Sequence, residues 1–242
     1  MNNLSTIKIN LTDGLLKALD AKSKGVNKLE TTNTEAYEYY LKGKYKWEKR
    51  ENKEDGEIAR GLYRKAIELD DNLIVAKVLL GWTYTKTGDY DKAMGIYTPA
   101  LKQAEKIDDK VGMRYGLNSI GVVHYYKGNY DKALDYYGRS RAILEEIGDK
   151  RGMGASLNNI GLVHGYKGDY KKAEEYLEKS LAIQKEIGLG ADDLIWSTIY
   201  LYLTYKHLGK EYDVKEIHNL IKAAENIEYE INYRLYELLE DK

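Results

Sequence analysis

The chain of 242 residues has no cysteine, no phenylalanine and a single proline, Pro99. Each absence removes a class of answer. Without cysteine there is no disulfide framework and no thiolate metal centre, so a small cross-linked scaffold is excluded and a reducing compartment is permitted. An excess of either charge is missing as well. With 38 Lys and Arg against 39 Asp and Glu, the net charge of -1 leaves no global basic field to gather phosphates, and nucleic acid is not an expected partner. No run of about 18 apolar residues occurs, which excludes a membrane-spanning helix. The opening MNNLSTIKINLTD lacks the basic and apolar regions of a signal peptide, so the expected location is cytoplasmic. Near-absence of proline beside abundant Lys, Glu, Ala and Leu predicts an all-α chain. What the chain has in quantity is tyrosine, 24 residues of it.

Three segments repeat one another at a spacing of 40 residues: GWTYTKTGDYDKAMGIY, GVVHYYKGNYDKALDYY and GLVHGYKGDYKKAEEYL. Gly81, Gly121 and Gly161 fall in step, as do Gly88, Gly128 and Gly168, Tyr90, Tyr130 and Tyr170, and Ala93, Ala133 and Ala173. Repetition at such a period is the signature of stacked supersecondary units. Within a copy, Lys127 and Gly128 close one helix, the glycine free to adopt the left-handed conformation. Asn129 opens the next as an N-cap, as Asp89 and Asp169 do in theirs. Leu117, Ile120 and His124 recur at spacings of three and four on the first helix, and Ala133, Tyr137 and Ser140 on the second, so each helix has one stripe to bury. Gly121 and Ala133 are small where the two helices approach. A lone pair leaves part of this surface bare, and stacking covers it. Pro99 interrupts the amide series of its helix, frees the carbonyl of Gly95 and predicts a kink.

The order Leu80, Gly81, Tyr84, Gly88, Asp89, Tyr90, Ala93, Tyr97, Ala100 resembles the tetratricopeptide repeat in the longer form of kinesin light chains and LGN-type scaffolds. That resemblance implies a right-handed α-solenoid of antiparallel helix pairs, with tyrosine at the family's aromatic positions. Two less regular copies flank the three. Gly43, Ala59, Tyr63 and Ala66 mark an earlier one with four extra residues in its turn around Asn52 to Asp55. Gly209 and Tyr212 mark a later one, with Tyr202 at the first glycine position. Five repeats are expected, at 34–72, 73–110, 111–150, 151–190 and 191–226. Residues 1–33 resemble the join between a TolB-like domain and tetratricopeptide repeats in bacterial signalling proteins, including class III nucleotide cyclases and kinases. Residues 227–242 read as the first helix of a truncated sixth repeat or a cap, with Leu235 and Leu238 on a face without a partner and therefore a candidate surface for self-association.

His124 and His164 are the residues most suggestive of chemistry. No carboxylate recurs beside them at helical spacing, and they stand where the preceding copy has Tyr84, so they are expected to pack rather than to ligate or catalyse. GDKRGMG, residues 148–154, joins glycine to base at a helix start, but neither phosphate-loop spacing nor a Rossmann strand accompanies it, and it reads as an inter-repeat turn. No catalytic residue, cofactor or metal is expected. The resemblance places function on a concave groove lined by first helices. Carried over position by position, the groove would be lined by Trp82, Tyr115, Asn118, Val122, Tyr125, Asn158, Leu162 and Tyr166. Asn118 and Asn158 would fix the backbone of an extended peptide, or else bond between neighbouring helices. Val78 stands where a carboxylate-clamping lysine would be wanted, so chaperone-tail binding is disfavoured. The expected function is a non-catalytic scaffold for a peptide or partner domain. The alternative is a regulatory or oligomerising segment of a multidomain signalling enzyme.

Overall fold

The computed structural model describes residues 33–223 and Leu238. The TolB-like join and Leu235 lie outside the described residues.

Ten α-helices and no strand are found among the described residues: α1 (Thr34–Glu48), α2 (Lys53–Leu69), α3 (Ile74–Lys86), α4 (Tyr90–Lys106), α5 (Lys110–Tyr126), α6 (Tyr130–Glu146), α7 (Lys150–Tyr166), α8 (Tyr170–Glu186), α9 (Ala191–Leu208) and α10 (Val214–Ala223). From α4 to α8 every helix has 17 residues. Every turn between them has three residues, so the internal period is half the sequence repeat. Each of these turns is closed by one residue in the left-handed region, such as Gly128 at φ 72° and Gly148 at φ 69°. Asp108, at φ 53°, holds that place after α4. The result is an α-solenoid of antiparallel pairs, each helix packed on the next, with first helices also touching across pairs: α3 on α5 and α7 on α9.

The two kinds of turn differ in how the following helix is capped. Asp109 and Asp149, before first helices, accept from the backbone N–H of Gly112 and Gly152 at 2.9 Å. Asp89, Asn129 and Asp169 occupy the N-cap positions expected of them, but their side chains make no capping bond. Their ψ of 57–64° differs from the 84–90° of Asp109 and Asp149. Of the four extra residues expected in the α1–α2 turn, one lengthens the turn. The other three extend α2 at its start, where Asn52 accepts from the Asp55 N–H at 2.9 Å.

The first glycine of each of the first four repeats seats a large side chain of the paired helix. A Cβ on Gly81 would lie 2.4 Å from Cε1 of Tyr97, and one on Gly121 2.6 Å from Cε1 of Tyr137. Gly43 stands in the same relation to Tyr63, and Gly161 to Leu177. The small residue is needed for the ring opposite it as well as for helix approach. Tyr63, Tyr97 and Tyr137 are the largest fully buried side chains, and the Tyr97 hydroxyl lies 3.1 Å from Thr85 Oγ1.

Consecutive pairs are stitched at their edges. Asp91 meets Lys127 at 2.7 Å and Lys150 meets Glu186 at 2.5 Å; Asp131 with Lys167 and Glu174 with Lys210 repeat the same separation of 36 residues. These pairs are exposed, so solvent screens them and they set register more than stability. Rings do the same nearby. Tyr90 stacks on Tyr126 at 5.9 Å between centroids, Tyr130 lies 6.2 Å from Tyr166, and Tyr170 stacks on His207 at 4.3 Å. Arg60, invisible to repeat analysis, is buried between α2 and α3. Its guanidinium donates to Thr83 Oγ1 at 2.9 Å, Thr83 O at 3.1 Å and Thr87 Oγ1 at 2.9 Å.

One expectation changes. Leu238 is fully buried against Ile195, Ile199 and Ile217, and its carbonyl accepts from the Tyr212 hydroxyl at 2.8 Å. It therefore lacks no partner, because α9 and α10 present an apolar face that this residue covers. Helix α4 runs unbroken from Tyr90 to Lys106 through Pro99. Both Pro99 and Gly95 are exposed, so water can satisfy the freed carbonyl. Pro99→Ala is expected to restore that amide bond and stabilise the chain by about 1–3 kcal/mol. Thermal unfolding followed by circular dichroism checks it; an unchanged or lower Tm would show that α4 needs the proline geometry.

Candidate functional site

From α5 onward, first and second helices present different chemistry to solvent. Residues 115–126 of α5, 152–166 of α7 and 194–205 of α9 contain no Asp, Glu, Lys or Arg, and neither do 78–85 of α3. The second helices α6 and α8, YDKALDYYGRSRAILEE and YKKAEEYLEKSLAIQKE, are charged throughout. Burial does not account for the difference, since Trp82, Tyr115, Asn118, Val122, Tyr125, Asn158 and Leu162 are only half-buried and Tyr166 is exposed. Depletion of charge together with aromatic enrichment is the composition of the central part of a protein interface.

The structure brings these eight residues onto three first helices that pack side by side. Trp82, Val122 and Leu162 are equivalent positions on α3, α5 and α7, and Lys86 sits over the Trp82 ring at 5.1 Å. Tyr115 carries the Arg114 guanidinium on its face at 3.7 Å. Tyr125 packs edge-on to Tyr166 at 5.4 Å and against Tyr126 and Tyr130. Burial raises the Tyr125 phenol far above the ordinary tyrosine range, and the nearby Tyr166 adds to the shift.

The two asparagines separate. Asn118 Oδ1 accepts from Asn159 Nδ2 at 3.2 Å, a bond between α5 and α7, and that is the structural role weighed for it. Asn158 is different: its Oδ1 is buried and has no hydrogen-bond partner. An unmet acceptor of this kind costs stability in the free chain and is a ready place for a donor.

His164 is buried and stacks on Tyr176 at 5.5 Å, with Nδ1 3.4 Å from Asp169 Oδ2. His124 is half-buried rather than a core residue, stacked on Tyr136 at 5.4 Å. Burial, with Lys132 and Lys127 nearby, lowers its pKa and favours the neutral ring. Among the described residues no group of three His, Cys, Asp or Glu is placed to hold a metal ion, and no helix is long and apolar enough to cross a membrane.

One pocket of about 250 Å³ opens on this face between α7, α8 and α9. Leu162 and Tyr166 line it, with Gly165, Tyr170, Tyr200 and His207. None of the last four was among the groove residues expected from the sequence. The signal was available in the comparison of copies, since Gly165 stands where the repeats on either side have Tyr125 and Tyr205. The uncharged first helices were equally legible, had charge been counted helix by helix.

The chain is similar to tetratricopeptide repeat families over residues 76–111 and 114–186. No curated protein matches the sequence. Among solved structures it is similar to BtubC (BKLC) from P. vanneervenii, with 18% identity and a TM-score of 0.60 over 90% of this chain and 94% of that one. Aspartyl phosphate phosphatase F from Bacillus subtilis is 20% identical, with a TM-score of 0.66 over 81% of this chain and 51% of that one. A Rap protein complexed with Competence and Sporulation Factor is likewise 20% identical with a TM-score of 0.66, over 87% of this chain and 66% of that one. The chain thus spans about half the length of the phosphatase. At these identities the likeness is one of fold.

Proposed function

We propose that this array of tetratricopeptide repeats is a non-catalytic interaction scaffold that holds a peptide or partner domain on the face formed by α3, α5, α7 and α9. The observation that carries the reading is the uncharged, half-buried surface shared by α3, α5, α7 and α9, set against α6 and α8, which are charged along their length. A stack needs only its inner stripes to be apolar, so an outward surface without charge is surplus to stability and suited to association. The unmet acceptor of Asn158 supports an occupant with amide donors, such as an extended backbone. The complex of a Rap protein with Competence and Sporulation Factor is a precedent for a fold of this kind holding a partner.

A photo-crosslinking amino acid tests the reading when placed at Leu162 on the proposed face and, separately, at exposed Lys172 on α8. Leu162 is expected to label a defined partner in a lysate from the source cells and Lys172 is not. Asn118→Ala with Asn158→Ala is expected to cut the Leu162 product by about tenfold, the loss of one or two buried hydrogen bonds. Equal labelling from both helices, or a product indifferent to the double substitution, would overturn the assignment.

A further inference from the structure

Gly165 is a helix residue that packing does not require. A Cβ there would meet only the Cβ of Ala173, at the ordinary distance of 3.9 Å, whereas one on Gly161, a turn earlier, would lie 2.7 Å from Leu177 Cγ. Nor does Gly165 have the positive φ that calls for glycine. Gly165 lies in the last turn of α7, so neither packing nor a left-handed backbone accounts for its missing side chain. Gly95 and Gly138 are equally unforced, but no atom lies within 4 Å of where their Cβ would be. Gly165 differs in lining the pocket.

The missing side chain can be read from the neighbouring copy. At the equivalent position Tyr125 lays its ring against Tyr126 and Tyr130, at 5.2 and 6.3 Å between centroids. The same two walls persist around Gly165 as Tyr166 and Tyr170, and both line the pocket. At Tyr205, the next equivalent, the ring is present again and its hydroxyl donates to Glu178 at 2.9 Å. The space at Gly165 is therefore bounded by the walls of a tyrosine site from which the tyrosine has been removed. His207, stacked on Tyr170, closes one side, and Leu162 and Leu203 supply aliphatic surface. An apolar cavity of about 150 Å³ suffices for benzene, so 250 Å³ holds one substituted ring.

We infer that this pocket is a specificity subsite for a single aromatic side chain, tyrosine-like in size, presented by the bound polypeptide. The inference rests on the first-helix face being the binding face. It adds what the face selects: a ring inserted at α7, completing the series that Tyr125 and Tyr205 begin on either side.

The probe is 4-methylphenol, the tyrosine side chain by itself, titrated into the full chain and followed by NMR signals of His207 and Tyr170. Saturable binding with a Kd on the order of 1 mM is expected for so small a ligand, with shifts confined to the pocket. Gly165→Tyr fills the space from within and is expected to weaken binding at least about tenfold while Tm stays equal or rises. Gly165→Ala, which adds one methyl group, retains binding. Absence of saturable shifts, undiminished binding to Gly165→Tyr, or equal binding of 4-methylcyclohexanol would overturn the subsite. Crosslinking from Val122, the equivalent position on α5 and outside the pocket lining, reports on the face separately. A partner captured equally by wild type and Gly165→Tyr defeats the ring subsite alone, whereas failure of capture from Val122 defeats the face whatever 4-methylphenol does.

Discussion

Tyr137→Ala is expected to lower the stability of the chain by about 3–5 kcal/mol, the cost of emptying a fully buried aromatic site that cannot collapse. The reason is the seat beneath the ring. Gly121 contributes no atom that could move into the vacated space, and Ala133, Ile160 and Val163 are anchored by their own helices. The reciprocal change, Gly121→Ala, forces a methyl group to 2.6 Å from the ring and is expected to cost about 1–3 kcal/mol by overpacking. The two are coupled through one contact, so the double variant should be less destabilised than the two single losses added together. Urea unfolding of the four proteins gives the coupling. Simple additivity would mean that glycine and ring do not share a site, contrary to the geometry.

Alkaline titration is the second large effect. Burial raises the phenols of Tyr63, Tyr97, Tyr125 and Tyr137, and that of Tyr97 to about 12 from an ordinary 10.0. A phenol is charged when deprotonated, so a raised pKa means that the folded state keeps protons the unfolded chain has released. Stability is therefore untouched below pH 10 and falls as pH rises from 10 toward 12. Two units at Tyr97 alone correspond to roughly 2–3 kcal/mol. Helix loss at 222 nm is expected to coincide with a burst of tyrosinate absorbance at 295 nm. Tyr97→Phe should move the midpoint upward, although it also removes a hydroxyl from Thr85. Gradual ionisation of all the tyrosines with the helix signal intact at pH 12 would show the rings to be accessible.

The helical stack was legible because its determinants are local and periodic. Turn glycines, the Gly81 and Gly121 seats and the Ala93 and Ala133 faces are each specified within one copy and then repeated. What escaped was set by relations between copies or by exact torsions. The caps at Asp109 and Asp149 bond while those at Asp89, Asn129 and Asp169 do not, a matter of some 20–30° in ψ that residue type does not encode. Asn118 meets Asn159 rather than its own equivalent, because the offset of one helix against the next is a property of the stack. Arg60 escaped for the same reason: its partners Thr83 and Thr87 lie on the following helix and at its C-cap. Leu238 looked unpartnered because the residues that cover it are about 20 to 45 positions earlier. The pocket escaped although Gly165 was visible, since an absent side chain becomes a cavity only once its walls are placed.

Equal helices joined by equal turns have a genetic consequence. Ile120 precedes Gly121 as Ile160 precedes Gly161, so excision of residues 121–160 would join like to like, and duplication of the same stretch would do so too. Such an array can lengthen or shorten in whole units without new junctions having to be invented. Gly165 lies outside that interchangeable block, so recombination can alter the reach of the scaffold while leaving a single aromatic receptor.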